Sequence, residues 1–145
     1  MKVIMQQPKE DEEDQIIVKC RNLTPEMLEV LHRLQTQNYM LTGHIGEAIH
    51  KVPPSDIFYV ESVSGRTFLY GDRQVYESKQ KLYELEENLK TNDFLRISKS
   101  TLLNLKKVKA LIPALSGRLE CVLKNNEKVI ISRQYVGELK KMLKI

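Results

Sequence analysis

A short strand, a polar break and a second apolar run follow one another in residues 93–105, whose sequence is DFLRISKSTLLNL. The break carries two cations, Arg96 and Lys99, and three hydroxyl groups stand beside them, on Ser98, Ser100 and Thr101. An ordinary turn uses Gly, Asn, Asp or Pro, and none of these lies between Arg96 and the second apolar run. Basic and hydroxyl side chains at a strand end donate well to phosphate and base oxygens. The stretch is therefore a first indication of a partner that carries phosphate or base oxygens.

The composition is that of a globular protein with one domain, or with a core domain and an N-terminal extension. The chain has 145 residues, of which 41% are hydrophobic and 29% charged. No apolar run is long enough to cross a membrane, and no signal peptide begins the sequence, so we expect a cytoplasmic protein. Cys20 and Cys121 lie far apart and without metal-type spacing, which predicts two reduced, partly buried thiols.

The net charge of +4 conceals an uneven distribution. Residues 1–50 carry five Lys or Arg and eight Asp or Glu, whereas residues 91–145 carry twelve and four, a net charge of +8. A basic C-terminal part suits a polyanionic partner such as nucleic acid. The competing explanation is that many soluble proteins are mildly basic for no functional reason.

Residues 1–51 are expected to form a small strand–helix–hairpin extension. Residues 15–20, QIIVKC, have the composition of a strand. A helix should begin at Thr24-Pro25 and end near Gln37-Asn38. One face of that helix is apolar, through Met27, Val30, Leu31 and Leu34. Such a face suits dimerisation or docking of a membrane-protein partner, although packing on the rest of the chain explains it equally well.

The remainder of the N-terminal part predicts two short strands, 39–42 and 45–52, joined around Gly43. Residues 53–56, PPSD, then stop the strand pair and mark the best domain boundary. We therefore expect two units, residues 1–51 and residues 52–145.

Residues 52–145 predict a mainly β domain of α+β type, because short strands alternate with turns at roughly ten-residue spacing. The turn at Ser64-Gly65 joins two strands, Ser78 should cap a helix, and residues 105–112 should form one strand. Leu82, Leu85 and Leu89 give that helix its apolar face, whereas Glu84, Glu86 and Glu87 should form its solvated face. The last helix has its apolar residues at Val136, Leu139, Met142 and Leu143.

The sequence offers little for catalysis. His32, His44 and His50 include no pair at the helical spacing of a zinc site. There is no glycine-rich phosphate loop, no nucleophile elbow and no paired carboxylates for acid–base work. We expect no enzyme activity, no metal, no cofactor and no small-molecule substrate.

Five motifs occur in one order along the chain. They are DIFYVES at 56–62, the Leu82-x-x-Leu85-Glu86-x-x-Leu89 helix, FLRISKS at 94–100, Asn104-Leu105, and Ile131-Ser132-Arg133. Together they resemble the LytTR family of bacterial DNA-binding domains over residues 52–145. The resemblance implies an elongated fold of small antiparallel β-sheets with short helices. It also implies that loops at strand ends enter successive major grooves of promoter DNA that carries repeated half-sites.

Most members of that family follow a receiver domain, and residues 1–50 are too short to be one. The chain therefore resembles a stand-alone transcriptional regulator, acting as a possible homodimer. In the resemblance, Ser98 and Lys99 face bases, while Arg96 and Ser100 contact phosphates. Many members have His or Asn where this chain has Ser98 and Lys99, so its target sequence should differ.

The resemblance gives the remaining DNA-binding positions as follows. Arg133 is the third reading position, and an arginine there can donate twice to guanine. Ser64, Gly65 and Arg66 form the first reading loop, in which Gly65 has no side chain for a contact. Lys79 is a further phosphate partner.

Each of these residues has a structural alternative. Arg133 could pair with Glu138 or cap the preceding strand, and Lys99 could be an ordinary solvated lysine. Asn104 is expected to fix the backbone of a turn. For the whole chain the alternatives are a non-specific nucleic-acid-binding β-module, which the 6% aromatic content disfavours, and a protein-interaction adaptor.

Overall fold

The computed structural model describes residues 2–36 and 39–145, and this part contains three α-helices and ten strands. The helices are α1 (Pro25–Thr36), α2 (Leu82–Asn88) and α3 (Arg133–Leu143). The first five strands are β1 (Leu41–Ile45), β2 (Ala48–Val52), β3 (Ile57–Val63), β4 (Arg66–Gly71) and β5 (Val75–Ser78). The others are β6 (Phe94–Ser98), β7 (Thr101–Asn104), β8 (Val108–Pro113), β9 (Leu119–Leu123) and β10 (Lys128–Ile131).

All the strand pairings are antiparallel, and the strands form two sheets. The larger sheet has the order β2-β1-β5-β4-β3-β7-β6, and the smaller has the order β10-β9-β8. The predicted mainly β architecture with short helices is therefore confirmed.

Two apolar clusters hold the layers together, one for each face of the larger sheet. In the first cluster, Leu82, Leu85 and Leu89 bring α2 against buried strand residues that include Leu102. In the second, Leu139 brings α3 against Leu103 and the small sheet. Neighbouring residues of β7 thus serve opposite faces, as the two-residue repeat of a strand requires. Burial of each leucine contributes about 1.5–3 kcal/mol, so α2 and α3 are firmly held.

The predicted strand at 15–20 is wrong, because residues 2–24 contain no helix or strand and are exposed. A turn in which the Glu12 amide donates to the Lys9 carbonyl, at 3.0 Å, joins two segments, residues 2–7 and 15–19, that line one cleft. Neither segment pairs in a ladder, and a single pair of strands is marginal in water without a third. Their β-forming residues are thus left without the neighbours that a strand needs.

The start of α1 is as predicted, since the Thr24 hydroxyl accepts a hydrogen bond from the Met27 amide at 3.3 Å. The helix continues to Thr36, and its predicted end at Gln37-Asn38 lies outside the described residues. Its apolar face is only partly covered, because Val30 remains 54% exposed.

The hairpin that follows α1 turns at Gly46, not at the predicted Gly43. Gly46 has a φ of +58°, which the turn requires, whereas Gly43 lies inside β1. A Cβ atom on Gly43 would lie 2.6 Å from Cβ of Tyr76, so this glycine is needed for close packing. His44 of β1 pairs with Glu77 of β5, so the hairpin extends the larger sheet. The domain boundary between residues 51 and 52 stays a prediction.

Two further boundaries differ from the sequence prediction. Ser78 does not cap α2, because it is the buried last residue of β5 and the helix begins at Leu82. Residues 105–112 are not one strand, because a short 3-10 helix, Leu105–Lys107, precedes β8. Asn104 causes this break: its side chain accepts from the Lys106 amide at 3.1 Å and donates to the Ile57 carbonyl at 2.8 Å. The expected role of Asn104 in fixing a turn is therefore confirmed.

Candidate nucleic-acid interface

One end of the larger sheet collects the strand connections that carry the candidate residues. We call it the turn end, and define it by residues 63–66, 78–81 and 98–101. The strand registers place these segments side by side, because Glu61 pairs with Thr101 and Thr67 pairs with Ser78. The Ser62 amide also donates to the Ser100 carbonyl at 2.8 Å, which ties two of the connections directly.

Arg133 reaches the same end from the smaller sheet. The Ser132 amide donates to the Ile97 carbonyl at 2.9 Å, so α3 begins beside the last residues of β6. Arg133 is exposed and lies against Gly117, where an added Cβ would be 3.0 Å from Cδ of the arginine. The structure thus brings together nine residues singled out in the sequence: Ser64, Gly65, Arg66, Lys79, Arg96, Ser98, Lys99, Ser100 and Arg133.

The first turn, residues 63–66, is a tight hairpin connection. Ser64 and Gly65 have φ values of 52° and 78°, the left-handed pair that suits two-residue hairpin loops. Apart from the two chain neighbours of Gly65, no atom of the described residues lies within 4 Å of the place where its Cβ would stand, so this turn is open to an incoming partner.

Arg66, at the end of the first turn, makes an ion pair with Glu77 of the neighbouring strand. Its Nε donates to Oε1 of Glu77 at 2.9 Å and its Nη2 to Oε2 at 2.7 Å, a two-pronged geometry. These hydrogen bonds lower the pKa of the Glu77 carboxyl. The guanidinium also lies 5.3 Å from the ring centre of Phe68. Arg66 therefore has partners, but it remains 63% exposed at its side chain.

The second turn, residues 98–100, is shaped by side chains. The pairing of β6 with β7 shifts by one residue between Arg96 and Ser98, a bulge of the kind that redirects side chains. The Ser98 hydroxyl accepts from the Ser100 amide at 3.2 Å. The Arg96 guanidinium donates through Nη1 to the Lys99 carbonyl at 2.7 Å and through Nε to Glu86. Lys99 is left as the exposed side chain of this turn.

The cations of the turn end fall into two classes. Arg66 and Arg96 are paired with glutamates, whereas within residues 2–36 and 39–145 no carboxylate lies within 4.0 Å of a charged nitrogen of Lys79, Lys99 or Arg133. The alternative pairing of Arg133 with Glu138 is therefore not present. Exposed, unpaired cations at one end of a molecule create the positive potential that attracts a polyanion.

A family model described as LytTr DNA-binding domain matches residues 47–144 of this chain. The chain belongs to the LytTr DNA-binding domain family. It therefore carries a DNA-binding domain of the type used in transcription regulation, and the resemblance found in the sequence is confirmed.

Curated relatives extend this finding. The sensory transduction protein LytT of Bacillus subtilis is 27% identical over 137 residues, which cover 93% of this chain and 57% of that protein. LytT of Bacillus anthracis is 33% identical over 101 residues, covering 70% of this chain and 41% of that protein. The chain thus spans about half the length of these relatives. An uncharacterised HTH-type transcriptional regulator of Staphylococcus aureus is 29% identical over 109 residues, covering 75% and 74%.

A solved structure supports the fold. The LytTr DNA-binding domain of a methyl-accepting/DNA response regulator from Bacillus cereus matches with a TM-score of 0.69 at 24% identity. The match covers 73% of this chain and 97% of that chain. The antiparallel sheets and short helices described above are thus the fold of a LytTr domain.

Several neighbours of the candidate residues were not singled out from the sequence of this LytTr domain. Lys81 is exposed immediately before α2 and adds a cation to the turn end. Glu77 and Glu86 hold Arg66 and Arg96, although Glu86 had been assigned to a solvated helix face. The loop Leu115–Gly117 lies beside Arg133 and exposes Leu115 by 81%. Of these neighbours, Lys81 alone could have been found from the sequence, because it is a second cation two residues after Lys79.

Other chemistry has little support in the described part of the LytTr chain. Residues 2–36 and 39–145 contain no cluster of three or more His, Cys, Asp or Glu suited to a metal ion. Both cysteines are free; Cys20 is exposed, contrary to the prediction, and burial raises the pKa of the Cys121 thiol to about 11. None of the helices in this part is both long and apolar enough to cross a membrane.

Proposed function

We propose that this LytTr domain is a sequence-specific transcriptional regulator that reads the major groove of promoter DNA through the turn end. The observation that carries the proposal is the grouping of Lys79, Lys99 and Arg133 around the first and second turns. All three are exposed and have no carboxylate partner among the described residues. A strand-end turn can enter a groove about 12 Å wide.

Base reading falls to the side chains that have both reach and free donors. Arg133 and Lys99 can donate to O6 and N7 of guanine, and the Ser98 hydroxyl can donate to or accept from any base. Ser98 already accepts from the Ser100 amide, so its hydroxyl hydrogen remains as the donor. The departure of Ser98 and Lys99 from the usual family residues should give this protein a target of its own.

Phosphate contacts would fix the domain on the duplex. Lys79 and Ser100 flank the reading side chains, and Arg96 was assigned to the same task from the family resemblance. The guanidinium of Arg96 already has Glu86 and the Lys99 carbonyl as partners. A phosphate contact by Arg96 would therefore use its remaining N–H groups or displace one of these partners.

Arg66 would contact the DNA by releasing Glu77 and binding a phosphate or a base in its place. The two-pronged geometry that it makes with Glu77 is also the geometry in which arginine binds a phosphate or guanine. Gly65 contributes no side chain but lets the backbone of the first turn approach the DNA closely.

Binding to repeated half-sites requires two domains, and we propose that they come from a homodimer formed through residues 2–36. This segment exposes apolar side chains, among them Val3, Ile4, Met5, Ile16 and Ile17. Two copies would provide the additional strands that an isolated pair lacks. A membrane-protein partner is the alternative occupant. Sedimentation at micromolar concentration distinguishes these two occupants of the surface. A monomeric protein would contradict the homodimer and would favour the membrane-protein partner.

The function is tested by selection and competition. Fragments of the source genome that the purified protein retains are sequenced, and the recovered site is used as a labelled duplex. We expect the unlabelled site to compete at least a hundredfold better than a shuffled duplex of equal composition. Equal competition by both duplexes would indicate a non-specific nucleic-acid-binding module. Absence of binding to either would indicate a protein-interaction adaptor.

A further inference from the structure

We infer that Glu86 and Arg96 are positioning residues that set the shape of the second turn, and thereby the direction in which Lys99 points. The inference rests on the proposed DNA-reading role of residues 98–100. Glu86 thereby has a structural role, to orient Arg96, which its position among the other glutamates of α2 does not suggest.

Glu86 is itself fixed by the packing of α2. It lies between Leu85 and Leu89, both with no exposed surface, so the backbone on either side of it is anchored in the first apolar cluster. The Glu86 side chain is 44% exposed, and the Arg96 side chain is only 21% exposed. A carboxylate on a helix whose apolar face is buried thus holds an arginine that is largely covered.

Arg96 transmits this anchor to the turn. Its Nε donates to Glu86, and its Nη1 donates to the Lys99 carbonyl at 2.7 Å. The planar guanidinium fixes the directions of both N–H groups, so its orientation on Glu86 also fixes the peptide between Lys99 and Ser100. A lysine at position 96 would keep the charge but lose this fixed angle between two donors.

Two hydrogen bonds hold that peptide, one at its N–H group and one at its carbonyl. Ser98 holds the Ser100 amide, and the Ser62 amide holds the Ser100 carbonyl. The Lys99 carbonyl accepts its hydrogen bond from the Arg96 guanidinium. Without the Arg96 contact, the peptide would keep only the 3.2 Å hydrogen bond from the Ser100 amide to the Ser98 hydroxyl. It would then rotate more freely, and Lys99 would sample several directions instead of one.

A phosphate contact by Arg96 makes a different prediction from a positioning role. Loss of one phosphate contact lowers the slope of log K against log salt by about 0.9 and weakens binding to all duplexes alike. Loss of a positioning contact leaves the slope unchanged and lowers discrimination at the base pairs that Lys99 reads. The two roles are therefore separable in one set of titrations.

The experiment compares Glu86→Gln, Arg96→Lys and the matched control Glu87→Gln, each as the full chain. Arg96→Ala, which removes the charge, is added because the salt slope reports a lost phosphate contact only when the charge is lost. Glu87 is on the same helix but is 77% exposed at its side chain, and its Oε2 lies 4.0 Å from Nζ of Lys90. Affinity is measured for the selected site and for single base-pair variants of it, over a range of salt. We expect Glu86→Gln and Arg96→Lys to lower discrimination about tenfold at one cluster of base pairs. The salt slope and the control should not change.

Amide hydrogen exchange of the free protein gives a second readout that needs no DNA. We expect the Ser100 amide to exchange at least several-fold faster in Glu86→Gln and Arg96→Lys than in wild type, while amides of the first turn are unchanged. Unchanged exchange and unchanged discrimination would overturn the inference, and so would a lower salt slope with discrimination intact. If the wild type itself shows no site preference, the proposed function fails, whereas the exchange result still decides the positioning role.

Discussion

The first and second turns use the same pair of residue types for different purposes. In each, an arginine binds a glutamate: Arg66 binds Glu77, and Arg96 binds Glu86. Arg66 reaches across to a neighbouring strand and, within the described residues, its side chain donates no hydrogen bond to the backbone of its own turn. Arg96 also grips the carbonyl of Lys99.

The difference lies in what determines each turn's shape. The first turn takes its shape from its own backbone, through the positive φ of Ser64 and Gly65. The second turn has no glycine and takes its shape from hydrogen bonds and from the helix behind it. An arginine–glutamate pair at an interface can therefore have either of two roles. It can hold an arginine that is itself available to bind DNA, or it can fix the backbone that orients another DNA-binding side chain.

The largest effect should come from loosening the helix that anchors the second turn. Leu85 has no exposed surface, so Leu85→Ala should lower the free energy of unfolding by about 2–5 kcal/mol. Urea unfolding measures this loss. Exchange of the Ser100 amide should rise more than exchange of amides in the first turn, because α2 supports the second turn through Glu86.

Tyr83→Ala is the matched control on the same helix, because Tyr83 is 66% exposed. It should change the free energy of unfolding by no more than about 0.5 kcal/mol. Equal acceleration of exchange in both turns by Leu85→Ala would remove the distinction between them.

A smaller effect is expected from the backbone of the first turn. Gly65 has a φ of +78° and open space around its missing Cβ, so Gly65→Ala meets no clash and pays only for the left-handed conformation. We expect destabilisation of about 1 kcal/mol, measured by thermal unfolding.

Gly137→Ala provides the control of opposite sign. Gly137 lies inside α3, and beyond the backbone of that helix nothing in residues 2–36 and 39–145 comes within 4 Å of an added Cβ. Alanine should therefore stabilise the protein by about 0.5–1 kcal/mol. If Gly65→Ala were also stabilising, the first turn would not depend on its positive φ.

The smallest effect concerns the pair in the first turn. Glu77→Gln removes the carboxylate that competes with DNA for Arg66, so we expect affinity for the selected site to rise about two- to fivefold. Fluorescence anisotropy titration measures the change. The gain should vanish when Arg66→Ala is added, whereas a loss of affinity would show that Glu77 supports the interface.

The sequence predicted well the elements whose signals are local. The turn at Ser64-Gly65, strand β6 and the last helix follow from turn chemistry, β-forming composition and helical spacing, which neighbouring residues alone determine. The gathering of the candidate residues at one end came from the family resemblance, since spacing along the chain does not show that Arg133 lies beside β6.

The misses arose where distant packing decides. Gly43 and Gly46 look alike in a sequence, but Tyr76 requires the first to be small and the turn requires the second to adopt positive φ. Residues 15–20 have strand composition but no ladder partner. Glu86 is partly solvated, as expected, but its pairing with Arg96 is not predictable from spacing, because this partner, ten positions away, meets it only in the folded chain.

The central claim is that the turn end binds DNA through its unpaired cations. The most direct test is the affinity of Lys99→Ala/Arg133→Ala for the selected site, compared with Lys124→Ala/Lys141→Ala, which removes the same charge from exposed positions elsewhere. At about 1–3 kcal/mol for each specific contact, the first double variant should bind at least thirtyfold more weakly and lose its preference over shuffled DNA. The second should lose only a few-fold and keep the preference. Equal weakening of the two variants, with the site preference retained in both, would contradict the account.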